Sequence, residues 1–181
     1  ARETPRHNRL VSGLRPQGVL TTGALQQLVY LSPQTGNAPR SLPFKNPVIV
    51  GSELVSFSAL WTLRSAGIKA RYMLEKNDQI SAFKLAEYGC SLFGTQLMKQ
   101  TKILQINGLN RVESVTVQNK QGEQSVLECD AVIFTGQFVG DSSLLLNSHL
   151  EKIAHTSYPV IDQNGQSSDA SYYFVGNFLH P

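Results

Sequence analysis

A short apolar run that ends at a glycine and passes directly into a helix-like segment constrains this chain more than any other feature. The stretch "PVIVGSELVSFSAL" (Pro47 to Leu60) begins as a continuous apolar run, which is typical of a strand buried on both faces. From Leu54 the apolar residues recur at three- and four-residue steps until Gly67, which predicts a helix. "IKARYMLE" predicts a second strand that ends at Glu75. Strand, helix and strand form a right-handed βαβ unit, so we predict an α/β fold with a parallel sheet.

The glycine after the first strand is placed as in a dinucleotide-binding turn. Such a turn has three glycines: one for the sharp turn, one for backbone approach to the pyrophosphate and one for close helix packing. Here the three positions hold Gly51, Glu53 and Ser56. Glu75 lies 24 residues after Gly51, about where an acid holds the adenosine ribose hydroxyls. Gly51, Ser52 and Glu75 are therefore the candidate nucleotide contacts, although only the first of the three glycines is present.

The charge of Glu53 argues against a bound diphosphate. We predict Ser52 as the N-cap of the helix and Glu53 as a first-turn acid, which complements the helix dipole by roughly 0.3–1 kcal/mol. Two like charges about 4 Å apart repel by roughly 4 kcal/mol at an effective dielectric near 20, which is about a thousandfold in affinity. We therefore expect the turn to keep the fold without tight binding of NAD(P). Glu75 has an alternative interpretation, as a surface acid at an exposed strand end.

The rest of the chain continues the alternation of helices and strands. Residues 1–20 are predicted to be irregular, and Thr21–Leu31 has a helical spacing of apolar residues before a proline-rich linker. Ser81–Gln100 is predicted as a second helix, weakened by two glycines. Several strands should follow, with Val112, Val115 and Val117 in one of them, Val126 and Leu127 in the next, and "NKQG" as the hairpin turn between them.

Composition and charge exclude several classes of protein. The chain has 181 residues, of which 41% are hydrophobic and 16% charged, and no apolar run reaches the roughly 18 residues of a membrane span. The first residues have no apolar core of a secretory signal, so a cytoplasmic location is expected. The net charge is +3, and its basic excess lies early, without the neighbouring aromatic residues that a nucleic-acid site uses. We expect a solvated basic extension there.

Cysteine and histidine residues show no catalytic or metal-binding spacing. Cys90 and Cys129 are the two cysteines, and they form no C-x-x-C motif, so we expect two buried thiols rather than a redox or zinc site. The four histidines are scattered and are expected at the surface: His7, His149, His155 and His180. No catalytic or metal-binding residue is therefore predicted in this chain.

Several stretches, in their order, resemble FAD-dependent pyridine nucleotide-disulphide oxidoreductases. "GSELVSFSALWTLRSAG" resembles their nicotinamide-nucleotide-binding domain, and "RPQGVLTTGALQQLVYL" resembles the segment that joins the flavin domain to it. "ARETP" is similar to the residues after the A-T-G turn of the flavin domain. "CDAVIFTGQFVGDSSLL" is similar to the exit from the inserted domain, and "YYFVGN" to the strand before the G-D motif. Within this superfamily the likeness is closest to amine, opine and cyanide-forming flavin dehydrogenases.

This resemblance implies a fragment of a flavoprotein. It implies a Rossmann-like parallel sheet with a β-hairpin or meander insertion, flanked by remnants of a flavin-binding domain. The expected division is 1–42 as flavin-domain remnant and linker, 43–145 as the NAD(P)-binding-like domain, and 146–181 as the return segment. The parent protein would hold FAD, mostly outside this chain, and this chain would dock on the remainder of the flavin domain or on a partner subunit. Further cofactor contacts implied by the resemblance are Thr135, Gly136, Gly176 and Asn177.

Two departures and two alternatives qualify this expectation. Asn177 stands where the family has an aspartate that holds the ribityl chain, and the redox cysteines of the disulphide reductases are absent, which puts disulphide chemistry in doubt. Oxidation of a small amine, an amino acid or a similar donor stays open. One alternative is a non-catalytic Rossmann-like scaffold or subunit-docking domain without nucleotide binding. A weaker one is a nucleic-acid-binding module that uses the basic N-terminus.

Overall fold

A computed structural model describes residues 11–14, 16–31, 42–136, 143–154 and 158–176. The chain divides into two compact units after Gly136. The domain boundaries expected at residues 42 and 145 stay predictions. In the described residues, no helix is long and apolar enough to cross a membrane.

The larger unit is built on a five-stranded parallel sheet, whose strands alternate with helices along the first half of the chain. The elements of this sheet and its helices are β1 (Val19–Thr21), α1 (Thr22–Leu31), β2 (Pro47–Val50), α2 (Leu54–Ser65), β3 (Tyr72–Leu74), α3 (Glu87–Leu92), β4 (Gln96–Met98) and β8 (Ala131–Phe134). The strand order in the sheet is β1-β8-β2-β3-β4. The predicted α/β class with its parallel sheet is confirmed.

The central strands β2 and β8 are buried along their whole length, as the apolar run before Gly51 predicted. Val48 pairs with Tyr72 on one side and with Val132 on the other, so β2 has a parallel neighbour on both sides. The carboxylate of Asp130 accepts hydrogen bonds from the backbone N–H groups of Lys45 (2.6 Å) and Asn46 (2.7 Å). These bonds hold the starts of the two strands side by side.

The residues after β2 form the helix that the spacing predicted. The helix α2 ends at Ser65, and Gly67, with φ +75°, follows it and donates a backbone hydrogen bond to Arg64. Its buried residues Ala59, Leu60 and Leu63 pack against the sheet together with Leu25 and Val29 of α1 in a first apolar core. Helices therefore cover one face of the parallel sheet.

An antiparallel meander covers the other face. Its strands are β5 (Lys102–Asn107), β6 (Ser114–Gln118) and β7 (Gln124–Glu128). Val115 and Val117 are buried in a second core with Val48, Val132 and Phe134 of the parallel sheet. The turn at "NKQG" is closed by a hydrogen bond from Gly122 N–H to the Asn119 carbonyl (3.1 Å), so the predicted hairpin is confirmed.

Three local predictions were wrong. Ser81–Gln100 is not one helix: a 3₁₀ turn (Lys84–Ala86) and the short α3 are followed by Gly94, at φ +65°, and then by β4. The positive φ of Gly94 ends the helix, so the residues after it join the edge of the sheet. Val112 is buried but precedes β6, and the segment expected to be irregular up to residue 20 already contains the start of β1.

The smaller unit contains α4 (Ser143–Leu146) and a series of isolated antiparallel bridges. A tight turn begins at Asp162, whose Oδ1 accepts hydrogen bonds from the N–H groups of Asn164 and Gln166, both at 2.8 Å. His149 lies at the surface, with Nε2 2.8 Å from Oδ2 of Asp169. The backbone N–H of Gln166 is the main group that lowers the pKa of Asp162 below its ordinary value. For Asp169 the backbone N–H of Ser171 lowers the pKa most, followed by the contact with His149.

Candidate functional site

The candidate site lies at the carboxyl ends of β2 and β8, where the direction of the strand order reverses. From β2 the chain continues through α2 to β3 and β4 on one side, while β8 and β1 lie on the other side. Ligands of open parallel sheets bind in the crevice at such a switch point. Gly51 follows β2 with φ +121°, and Thr135 donates its backbone N–H to the carbonyl of Val50 (3.1 Å). The structure therefore brings Gly51, Thr135 and Gly136 together, as the nucleotide interpretation requires.

The side chain of Glu53 lies over the two glycines of this crevice. A Cβ atom built on Gly51 would lie 2.4 Å from Oε2 of Glu53, and one built on Gly136 would lie 2.1 Å from its Oε1. Both contacts are far shorter than a real Cβ makes, so the carboxylate uses the space that the two missing side chains leave. The clearance that a second glycine provides for a pyrophosphate is occupied here by an acidic group of the protein itself.

Two hydroxyl groups hold this carboxylate in place. Oε2 of Glu53 lies 3.2 Å from Oγ of Ser56 and 3.1 Å from Oγ1 of Thr135. The two hydroxyl oxygens are 2.6 Å apart, and Oγ1 of Thr135 also lies 3.0 Å from the carbonyl of Val50. Ser56 and Thr135 are buried, and their hydroxyl groups find their partners within this cluster. The residue at the third glycine position thus anchors the residue at the second.

Ser52 and Glu75 form a second buried pair beside the turn. Oγ of Ser52 donates to Oε2 of Glu75 and accepts the backbone N–H of Ser81 (2.9 Å). Oε1 of Glu75 accepts the N–H of Asn77 at 2.8 Å. Ser52 is fully buried, and the Glu75 residue is only 3% exposed. The two predicted contact residues are therefore adjacent in space and already bonded to the protein.

These contacts correct three predictions about the turn. The N-cap of α2 is Glu53 and not Ser52, and no side chain makes a capping hydrogen bond there. Glu53 accordingly precedes the first helical turn, and its carboxylate bonds to hydroxyl groups across the crevice. The alternative interpretation of Glu75 as a surface acid is wrong, because the residue is buried. A local sequence pattern could not distinguish a serine that caps its own helix from one that bonds to a strand end 23 residues away.

A dinucleotide diphosphate does not fit this arrangement. It would need the space above Gly51 and Gly136 that the carboxylate of Glu53 occupies, and it would bring negative charge against negative charge. The carboxylate of Glu75 accepts two protein hydrogen bonds and the residue is only 3% exposed, so ribose hydroxyls have little access to it. The chain keeps the turn and the acid of a dinucleotide site, while their binding groups are engaged internally.

The remaining predicted residues lie elsewhere. Gly176, at φ +67°, belongs to the smaller unit, and Asn177 lies outside the described residues, as do His7, His155 and His180.

Cys90 and Cys129 are buried free thiols, as predicted. Burial raises the pKa of both, that of Cys129 to about 12, so neither is a ready nucleophile. No cluster of metal-binding side chains occurs among the residues that the structure describes.

Sequence reasoning missed Ser81 and Asn77, which complete the Ser52–Glu75 pair through their backbone N–H groups. Backbone donors carry no residue-type signal, so nothing in the sequence indicates them.

Away from the crevice, a cleft of about 920 Å³ runs along the edge strand β4 and is lined by residues that include Tyr88 and Lys99. It does not include Gly51 or Glu53, so it is separate from the candidate site.

Comparison with known proteins shows which solved structures share this fold. No protein-family model and no curated protein matches the sequence. Among solved structures, an FAD-dependent pyridine nucleotide-disulphide oxidoreductase from Desulfovibrio vulgaris superposes with a TM-score of 0.70 over 93% of this chain, at 18% identity. The chain has the fold of the pyridine nucleotide-disulphide oxidoreductases. The resemblance found in the sequence is confirmed at the level of the fold.

Two further structures agree with this assignment. An NAD-dependent persulfide reductase from A. fulgidus has a TM-score of 0.69 at 17% identity over 93% of this chain. A thioredoxin reductase from T. acidophilum has a TM-score of 0.65 at 17% identity over 75% of the chain. The chain spans 42% of the D. vulgaris protein, 31% of the persulfide reductase and 44% of the thioredoxin reductase. It thus corresponds to part of these proteins.

Proposed function

We propose that this chain forms the NAD(P)-binding-like domain of an FAD-dependent oxidoreductase. The observation that carries the proposal is the parallel sheet with its Gly51 turn and its antiparallel meander, which follows the D. vulgaris FAD-dependent oxidoreductase over 93% of the chain. The flavin would be held mainly by the remainder of the flavin domain, because the matched part is 42% of that protein. Hydride transfer to or from the flavin is then the chemistry of the cofactor, and the protein supplies binding and orientation.

The proposal gives the predicted residues separate roles. Thr135 and Gly136 end the strand that leaves the domain, and Gly176 and Asn177 follow the apolar run that resembles the strand before the flavin-binding G-D motif. Contacts of these four residues with FAD stay predictions. Gly51, Ser52 and Glu75 build the turn itself, and the bonds described above leave them little capacity for a nicotinamide dinucleotide.

Flavin analysis of the full-length protein tests this function. We expect the purified protein to be yellow, with a flavin absorbance band, and to release FAD on acid precipitation. The stoichiometry should be about one FAD per polypeptide, which chromatography of the released cofactor measures. A colourless protein that takes up no FAD during refolding or on incubation would contradict the proposal.

A non-catalytic scaffold or subunit-docking domain is the second candidate, and an exposed apolar surface favours it. Large apolar side chains on α2, on α3 and between them are mostly exposed: Leu54 60%, Trp61 65%, Phe83 61%, Leu85 73%, Tyr88 75% and Leu92 82%. Large contiguous apolar patches are typical of protein contacts, and we propose that these side chains form one. The ring of Trp61 packs edge-on against Phe93, with centroids 6.0 Å apart.

Charge substitutions distinguish the two candidates. If the chain is only a docking domain, Tyr88→Asp and Leu92→Asp should release a co-purifying subunit, and the full-length protein should contain no flavin. Light scattering after size-exclusion chromatography measures the loss of mass. Val126→Asp is the matched control, since Val126 is exposed on the meander, 62% accessible. Flavin at full occupancy in all three variants would support the oxidoreductase instead.

A further inference from the structure

We propose that the carboxylate of Glu53 is a built-in anion that takes the place of a dinucleotide diphosphate, so that this domain excludes NAD(H) and NADP(H). The inference concerns the same crevice as the proposed function and rests on the assignment of the fold. It concerns the specificity of the crevice, so it stays testable whether or not the parent protein holds FAD.

Glu53 occupies the second glycine position of the turn after β2. Glu53 lies two residues after Gly51, where the second glycine of a dinucleotide turn gives backbone access to the pyrophosphate. Its two carboxylate oxygens fill the space above Gly51 and Gly136, at 2.4 Å and 2.1 Å from the ideal Cβ positions. The acidic group therefore lies inside the crevice, against the ends of both strands.

The carboxylate of Glu53 contacts two buried hydroxyl groups. Ser56 and Thr135 are buried at 0% and 2% exposure, and each has its hydroxyl oxygen within 3.2 Å of Oε2 of Glu53. A diphosphate could enter only if Glu53 left these hydroxyl groups, whose oxygens also lie 2.6 Å from each other. Thr135 directly follows β8 and Ser56 lies in α2, so Glu53 contacts both walls of the crevice.

The acid that would hold the ribose is engaged as well. One oxygen of Glu75 accepts the Ser52 hydroxyl and the other accepts the N–H of Asn77. A dinucleotide would thus lose its diphosphate site, and its ribose hydroxyls would meet a carboxylate that is only 3% exposed. Charge repulsion at about 4 Å alone corresponds to roughly a thousandfold loss of affinity.

Calorimetric titration of the full-length protein with NAD⁺ and NADP⁺ tests the inference. We expect the wild-type protein to show no binding up to about 1 mM. Glu53→Gly removes the carboxylate and restores the second glycine, so we expect at least about a hundredfold gain in affinity for one of the two dinucleotides. Glu53→Gln removes the charge but keeps the bulk, and should gain about tenfold. Glu87→Gln is the control for loss of one acid at a helix start, and should stay like wild type.

The outcomes separate the inference from the proposed function. Wild-type binding at about 10 μM or tighter would overturn the inference. A folded Glu53→Gly protein that binds no better than wild type would also overturn it, because Glu53 would then not be the barrier. If Glu53→Gly does not fold, the comparison of Glu53→Gln with wild type decides in the same way. FAD content, measured on the same samples, reports separately on the flavoprotein assignment.

Discussion

Oε2 of Glu53 and Oγ1 of Thr135 lie 3.1 Å apart, which joins the turn after β2 to the end of β8. The two residues are separated by 82 positions in the sequence, and both face the crevice at which the strand order reverses. In this fold a bound diphosphate would occupy that crevice. Here a side chain of the protein bridges it, so the two strand ends are linked without a ligand.

Thr135→Val should destabilise the protein by about 1–3 kcal/mol, because it leaves the buried hydroxyl of Ser56 and the carboxylate of Glu53 with one partner fewer. Urea unfolding followed by circular dichroism measures the change. Thr116→Val is the matched control: Asn107 donates to Thr116 but also to Ser114, so we expect a loss below about 0.5 kcal/mol. Equal losses in the two variants would show that the Thr135 bonds contribute nothing specific.

Gly51→Ala should cost at least about 2 kcal/mol more than Gly67→Ala. Both glycines have positive φ, +121° and +75°, but a Cβ on Gly67 meets nothing within 4 Å, whereas one on Gly51 would lie 2.3 Å from Oγ1 of Thr135. Thr135 is short and buried, so it has little freedom to move away from the new Cβ. Thermal unfolding of both variants measures the difference, and it should shrink in the Thr135→Ala background. A difference near zero would contradict the crowding of the crevice.

Ser52 and Glu75 should be energetically coupled by about 1–3 kcal/mol in a double-mutant cycle of Ser52→Ala and Glu75→Gln. The serine hydroxyl donates to a carboxylate that is buried, and Ser52→Ala removes this donor. Glu75→Gln removes the charge and leaves one acceptor oxygen for the two donors Ser52 and Asn77. Chemical unfolding of the four proteins measures the coupling. Ser52→Ala with Glu128→Gln, an exposed acid on β7, is the control cycle and should be additive. Additivity in the Ser52–Glu75 cycle would show that the bond between these two residues contributes nothing to stability.

The regular part of the fold could be predicted from the sequence because its signals are local. The apolar run of β2, the helical spacing after Leu54 and the turn at Gly122 each depend on a few neighbouring residues, and the structure has all three. The failure at Ser81–Gln100 has a physical reason. Gly94 interrupts the helical spacing there, and its positive φ ends the helix. The residues after it form an edge strand.

The sequence predicted which residues form the candidate site, but not which of them are hydrogen-bonded to each other. The glycine spacing drew attention to Gly51, Glu53 and Ser56, and all three do lie in the crevice. The partner of Ser52, however, is set by the pairing of β2 with β3, which places Glu75 beside it. Likewise the contact of Glu53 with Thr135 depends on β8 pairing with β2. Long-range strand order decides which hydroxyl bonds which carboxylate, and no local pattern contains that order.

The buried thiol of Cys129 should make stability depend on pH in the alkaline range. Burial, and to a smaller extent the nearby Asp130, raise the pKa of this thiol from its ordinary value of 9.0 to about 12. Above pH 9 the unfolded chain releases the proton while the folded protein still holds it. Stability contributed by this group is therefore complete below pH 9 and falls by up to about 1.4 kcal/mol per pH unit as the pH rises toward 12. Urea unfolding between about pH 8 and 10.5 should show a steeper decline for wild type than for Cys129→Ala. Parallel curves for the two proteins would mean that the thiol ionises equally easily in both states, and fast labelling of the folded protein by a thiol reagent at pH 9 would agree with that result.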